Sequence, residues 1–218
     1  MGAALSNGRF ITLEGGEGAG KSTQAALLAD ALRQAGHDVI RTREPGGAPG
    51  AEEIRRLLVE GPANRWDAES EALLMVAARR AHLVGTIWPA LDAGKLVVCD
   101  RFFDSTLAYQ GYGGGVSLAA LETLHRLIAG DFKPDLTIVM DIPVEKAFSR
   151  IAARPESETR FERKGRAFHE RLRQGFLDIA KLEPGRCVVI DASADPSSVQ
   201  QAIQAALQSR LGIAFGSG

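Results

Sequence analysis

Gly15-Gly-Glu-Gly-Ala-Gly-Lys-Ser22 has the spacing G-x-x-x-x-G-K-[ST], and the chemistry of that spacing is the cradling of phosphate. Its glycines let backbone N–H groups converge on anionic oxygens, in conformations that a Cβ obstructs. Lys21 is placed to reach the β- and γ-phosphates of a nucleoside triphosphate, and the Ser22 hydroxyl to hold Mg²⁺. Gly15, Gly16, Glu17, Gly18, Ala19, Gly20, Lys21, Ser22 and Thr23 together read as the triphosphate-binding segment. A helix beginning near Lys21 adds the positive end of its dipole.

A second chemical pair, Asp100-Arg101, directly follows the apolar run Leu96-Val-Val-Cys99. Ligands of parallel α/β sheets bind at the carboxyl ends of the strands, so this pair points at whatever the phosphate loop holds. Asp100 can support Mg²⁺ beside Ser22, and Arg101 can grip a phosphate with its planar fork. Arginine outnumbers lysine 20 to 6, with Arg43, Arg79, Arg80, Arg101, Arg150, Arg154 and Arg160 next to loops. Two phosphorylated ligands held side by side account for that bias better than one. The chain has no Asn-Lys-x-Asp guanine-recognition string, no His/Cys cluster and no nucleophile elbow.

The elements that must position these groups are also legible. Five short apolar runs, Arg9–Leu13, Asp38–Thr42, Leu96–Asp100, Leu136–Asp141 and Cys187–Asp191, are mostly continuous rather than alternating. That pattern predicts parallel strands covered on both faces. Between them lie helical stretches at Thr23–Leu32, Glu52–Leu58, Ala68–Leu91, Leu118–Ala129, Val144–Ala153, Gly165–Leu182 and Ser197–Leu211. The alternation predicts an α/β protein, a three-layer P-loop NTPase fold with a five-stranded parallel sheet flanked by helices, over residues 1–218 as one domain. Thr42–Gly50 has Pro and Gly at turn spacings and reads as a loop. Ala153–Gly165 is densely charged, and residues 1–8 and 213–218 read as flexible ends.

Composition bounds the partners. The chain has 218 residues, 45% hydrophobic and 24% charged, with a formal net charge of −1. No global basic field draws in nucleic acid or an anionic membrane. Cys99 and Cys187 sit inside apolar runs and read as reduced core residues. No apolar stretch approaches the ~18 residues of a membrane span, and Met1–Gly8 lacks a secretory layout. A cytoplasmic protein is expected.

Five strings occur in order: the phosphate loop with acidic Glu17, Arg43-Glu-Pro-Gly-Gly47, Glu71-Ala-Leu-Leu-Met-Val-Ala-Ala-Arg79, Asp100-Arg-Phe102 with Ser105-Thr-Leu-Ala-Tyr-Gln-Gly111, and Asp141-Ile-Pro143. On these residues the chain resembles the bacterial thymidylate kinases over nearly its whole length. The resemblance implies transfer of the γ-phosphoryl group of ATP to dTMP, giving dTDP and ADP, with Mg²⁺ and commonly in a homodimer. It implies a dTMP site of Glu17, Arg43, Pro45, Met75, Arg79, Arg101, Ser105, Thr106 and Tyr109. Glu17 would lie near the acceptor 3′-hydroxyl or the metal, and Arg79 would read the thymine edge, with Arg80 as its rival. Met75 stands where the family commonly has an aromatic that stacks on thymine. Tyr109 would crowd C2′ and reject ribonucleotides, while Ser105 and Thr106 would bond the base. Arg101 would hold the acceptor phosphate with help from Arg43–Gly47.

The same resemblance makes Ala153–Gly165 a mobile lid. One subgroup of the family carries a catalytic arginine where this chain has Gly18, so the chain resembles the other subgroup, whose arginines lie in the lid. Arg154 and Arg160 then join Lys21 and Arg101 as catalytic residues, with Arg150 at the base of the lid. The alternatives are a nucleoside monophosphate kinase for another acceptor, a non-catalytic ATP-binding regulator, and a nucleic-acid binder using the arginines around the lid. The glutamates interspersed there and the absence of a strong overall basic charge disfavour the last.

Overall fold

A computed structural model describes residues 8–62, 64–153 and 161–215. From the amino end the elements are β1 (Arg9–Glu14), α1 (Lys21–Gln34), β2 (Val39–Arg43), α2 (Pro49–Val59) and α3 (Ala68–His82). A π-helical turn at Leu83–Ile87 leads into α4 (Trp88–Asp92), followed by β3 (Leu96–Asp100) and α5 (Phe103–Thr106). A second π-helical turn, Leu107–Gly113, extends α5 before α6 (Leu118–Ala129), β4 (Leu136–Asp141), α7 (Val144–Ala152), α8 (Arg166–Leu182), β5 (Cys187–Asp191) and α9 (Pro196–Leu211).

The strands form one parallel sheet in the order β2-β3-β1-β4-β5. This is the P-loop NTPase fold anticipated from the alternation of runs. Successive residues of β1 face opposite layers. Ile11 and Leu13 enter a core closed by α1 and α9, with Leu28, Leu32, Ile203 and Leu207. Phe10 enters the other core, with Val97, Cys99, Leu172 and Phe176. Thr12 and Glu14 share Phe10's side by that alternation, and Thr12 meets Thr137 hydroxyl to hydroxyl at 2.9 Å. Each fully buried leucine contributes about 1.5–3 kcal/mol, so both faces hold β1 rigidly under the loop it carries. Both cysteines are free and buried.

Four boundaries depart from expectation. The stretch Ala68–Leu91 is not one α-helix: Pro89 has no N–H to donate one turn back, and the backbone widens into the π turn just before it. The loop expected at Thr42–Gly50 is shorter, because Pro49 suits the first turn of a helix and starts α2 three residues before Glu52. The helical segment Phe103–Gly113 was not anticipated, since its glycines and aromatics disguise the period. Ile213 is buried and Phe215 packs on the first core, so the flexible end predicted for 213–218 is corrected at least through residue 215.

Candidate active site

The phosphate loop connects β1 to α1 at the carboxyl edge of the sheet. Gly18 adopts φ +73°, and a Cβ there would stand 2.6 Å from the Ala147 carbonyl oxygen. No side chain fits at this position without moving α7. Lys21 folds back over the loop, its Nζ donating to the Gly16 carbonyl at 2.7 Å. Burial and the Arg101 charge lower the Lys21 ammonium from 10.5 to about 8, against Glu17, Asp100 and Glu14, which favour its charge. Arg150 donates to the Ala192 carbonyl at 2.9 Å and lies 3.5 Å from the Gly18 carbonyl. It thereby ties the loop after β5 to the phosphate loop.

Ser22 and Asp100 meet as their spacing predicted. The Ser22 hydroxyl donates to Asp100 Oδ2 at 2.5 Å, and Asp100 Oδ1 is buried with no partner. A hydroxyl beside an unsatisfied carboxylate oxygen, at the head of the phosphate loop, is a donor set that suits Mg²⁺, which takes few protein ligands alongside phosphate and water.

Beyond Asp100 the chain turns sharply. Arg101 has φ +72°, the one non-glycine residue in the left-handed region among the described residues. Its guanidinium swings over the loop, donating to the Gly15 carbonyl and to Glu17 Oε1, both at 2.9 Å, and to the Tyr109 hydroxyl at 2.7 Å. Tyr109 donates in turn to Glu17 Oε1 at 2.7 Å. Burial pushes the Glu17 carboxyl up, but the Arg101 and Lys21 charges and the Tyr109 bond outweigh it and hold the group down at about 2. Glu17 is therefore a fixed anion amid cations. Ser105 donates to Glu14 Oε2 at 2.5 Å and lies 3.2 Å from Arg101 Nη1. Burial and the Asp104 carboxylate push Glu14 up to about 7, despite Ser105, Arg101 and the Phe102 N–H.

At the far end Arg79 is 1% exposed. Its Nε donates to Glu44 Oε2 at 2.8 Å, and Nη2 to the Phe102 carbonyl at 3.0 Å and Thr106 Oγ1 at 2.9 Å. Nη1 is buried without a partner. Arg80, about 100° further round the helix, lies on the outer side, bonding the Ile128 carbonyl and covering Trp88. Arg79 and not Arg80 enters the cavity. Met75, one turn before Arg79, lines the same wall. Phe102 and Phe103 pack in the core.

One cavity of ≈ 250 Å³ joins all of this, lined by Glu17, Lys21 and Ser22, by Arg43, Pro45, Asp100, Arg101, Ser105 and Tyr109, and by Met75, Arg79 and Thr106. Arg55 and Gln110, which the sequence did not single out, are among the other side chains that line it. Arg55 of α2 donates to the Pro45 carbonyl at 2.7 Å; burial and the Arg43 charge lower its pKa. Gln110 is buried with neither end of its amide paired. Arg43, more exposed, bonds Glu52 at 3.2 Å. Phe161 closes one side, its ring edge-on to Tyr109 at 5.5 Å. Arg154 and Arg160 lie outside the described residues. Beside them Lys164 pairs with Glu71 of α3 at 3.3 Å.

A parallel sheet whose central strand runs into a phosphate loop, opening on a cavity lined by several arginines and by Met75, defines a P-loop nucleotide kinase. Comparison with known proteins narrows the class. A family model described as thymidylate kinase matches residues 13–203. The chain is 54% identical over 209 residues to the thymidylate kinase of Caulobacter vibrioides, covering 96% of this chain and 100% of that one. It is 51% identical over 205 residues to that of Rhizorhabdus wittichii, covering 94% and 99%. The crystal structure of thymidylate kinase from Ehrlichia chaffeensis superposes with a TM-score of 0.73 at 38% identity, covering 92% of this chain and 99% of that chain. The chain belongs to the thymidylate kinase family.

Proposed function

We propose that this chain transfers the γ-phosphoryl group of ATP to dTMP, giving dTDP and ADP for dTTP synthesis. The observation that supports the reading is one cavity lined by Lys21 and Ser22 of the phosphate loop, by Arg101 and Glu17, and by Arg79 and Gln110. A donor triphosphate fits the loop end. An acceptor of monophosphate, deoxyribose and pyrimidine fits the rest in that order.

Phosphoryl transfer passes through a loose transition state, so the protein's work is to align and to neutralise charge. An oxygen of the acceptor phosphate is already anionic and attacks without a general base. The bond from the γ-phosphorus to the β–γ bridging oxygen breaks as the new one forms, and ADP leaves. Lys21 neutralises the donor end, and Arg101, helped by Arg55 and the Arg43–Gly47 loop, aims the acceptor phosphate. Arg79 Nη1 and the Gln110 amide supply unpaired donors and an acceptor for the base edge. Tyr109, fixed by Arg101 and Glu17, walls off the sugar C2′. Ser22 and Asp100 would hold Mg²⁺, which supplies charge neutralisation on the phosphate oxygens. Arg154 and Arg160 belong to a lid that closes on the transferring group, consistent with a loop that has no room for an arginine at Gly18.

Residues 1–218 act as one cytoplasmic nucleoside monophosphate kinase domain in this reading. Among the described residues no helix is long and apolar enough to cross a membrane. A homodimer is supported by apolar side chains left exposed on α3 and α6, Leu73 and the 80%-exposed Leu127, on two helices that pack together. The direct test is ADP release measured with and without dTMP. Release that requires dTMP, and falls by orders of magnitude in Lys21→Ala, supports the reading. Equal release without acceptor defeats it.

A further inference from the structure

Glu14, the last residue of β1, is 0% exposed and lies behind the cavity wall rather than on it. A buried carboxylate is tolerated only when its oxygens are bonded. Oε1 accepts from the Phe102 N–H at 2.7 Å, and Oε2 from the Ser105 hydroxyl at 2.5 Å. Those two donors stand just after Arg101, whose left-handed backbone, φ +72°, persists in a residue with a Cβ only where its surroundings fix it. That same turn directs the Arg101 guanidinium over the phosphate loop. Ser105, having given its one proton to Glu14, presents a lone pair to Arg101 Nη1 at 3.2 Å.

We propose that Glu14 is a positioning residue for Arg101. Its carboxylate clamps the Phe102 N–H and the Ser105 hydroxyl, and so fixes both the backbone turn and the guanidinium where the acceptor phosphate docks. The proposal rests on the reading of Arg101 as the acceptor-phosphate residue. It gives Ser105 a place in this clamp rather than on the base, toward which the resemblance directed it. The opposite side of the same turn is anchored independently, since Arg186 grips both oxygens of Asp104 at 2.7 Å. Glu14 therefore tunes the turn and is not its sole support.

A double-mutant cycle tests it in the full chain. Glu14→Gln keeps the shape but offers one acceptor oxygen to two donors. Its kcat is expected to fall about 10- to 100-fold, the scale of a small misplacement of an aligning group, while KM for ATP stays within about twofold. In an Arg101→Ala background the same substitution should cost nothing further, because the group it positions is gone. Ser105→Ala removes only the hydroxyl. It should show a smaller loss with the same dependence on Arg101, and it carries the test if Glu14→Gln does not fold. Wild-type kcat in Glu14→Gln, or losses equally large with and without Arg101, overturn the positioning role. Wild-type kcat and KM for dTMP in Arg101→Ala would instead overturn the reading of Arg101 itself, and the positioning role with it.

Discussion

Lys21 carries the clearest pH signature in the molecule. Its folded pKa is lowered from 10.5 to about 8, so in the free enzyme the ammonium is lost as pH rises through that value, and with it the attraction for phosphate. kcat/KM for ATP reports the free enzyme and should fall on the alkaline side with a midpoint near pH 8. kcat should hold to higher pH, because bound phosphates favour the charged lysine. A kcat/KM profile flat to well above pH 9 would contradict the buried placement of Lys21. At this scale the sequence was informative where a motif fixes the backbone: the phosphate loop, Asp100 and Arg101 meet as their spacing requires. Arg55 and Gln110 escaped for a physical reason. Each is an ordinary polar residue until the phase of its helix is known, and that phase depends on where Pro49 starts α2 and on the π turn after α5. The choice between Arg79 and Arg80 likewise needed the helix packed before it could be made.

Among the elements, five strands and most helices were visible as runs; β1, β3 and β4 are buried on both faces and read as continuous apolar stretches, whereas the edge strands β2 and β5 are partly exposed. The π turns were not visible, since each depends on a local failure of the α pattern that periodicity averages away. Gly18 ties this scale to the chemistry: packed against the Ala147 carbonyl, it leaves no room for an arginine at that position of the loop, which supports the proposal that Arg154 and Arg160 act in its place. Replacing Arg154 or Arg160 by Ala should lower kcat by at least tenfold in one of the two, with little change in KM for ATP. A contact formed mainly in the transition state behaves in that way. Unchanged kcat in both would remove the lid from the mechanism. An ion pair with Glu71 joins Lys164 to the helix carrying Met75 and Arg79.

Across the whole molecule, the sheet order puts β1 at the centre, with β3 and β4 on either side. The donor loop and the Asp100–Arg101 turn are thereby neighbours at one edge, although 78 residues separate Ser22 from Asp100. Parallel pairing of β1 with β3 creates that adjacency, which the sequence reveals only through the rule that ligands bind at the carboxyl ends of parallel strands. The exposed leucines of α3 and α6 predict a dimer, and light scattering should return twice the chain mass of 23.2 kDa, falling to one chain in Leu127→Glu. A monomeric wild type would leave that apolar face to another role. The central claim is the proposal that the cavity takes a deoxypyrimidine monophosphate, with Tyr109, which is bonded to Glu17 and Arg101, as the wall that faces the sugar. It is tested most directly by comparing kcat/KM for dTMP, dUMP, dCMP and UMP with ATP as donor. The account predicts dTMP first and UMP lowest by at least about 100-fold, the discrimination a close steric wall can supply. UMP phosphorylated as efficiently as dTMP would contradict it.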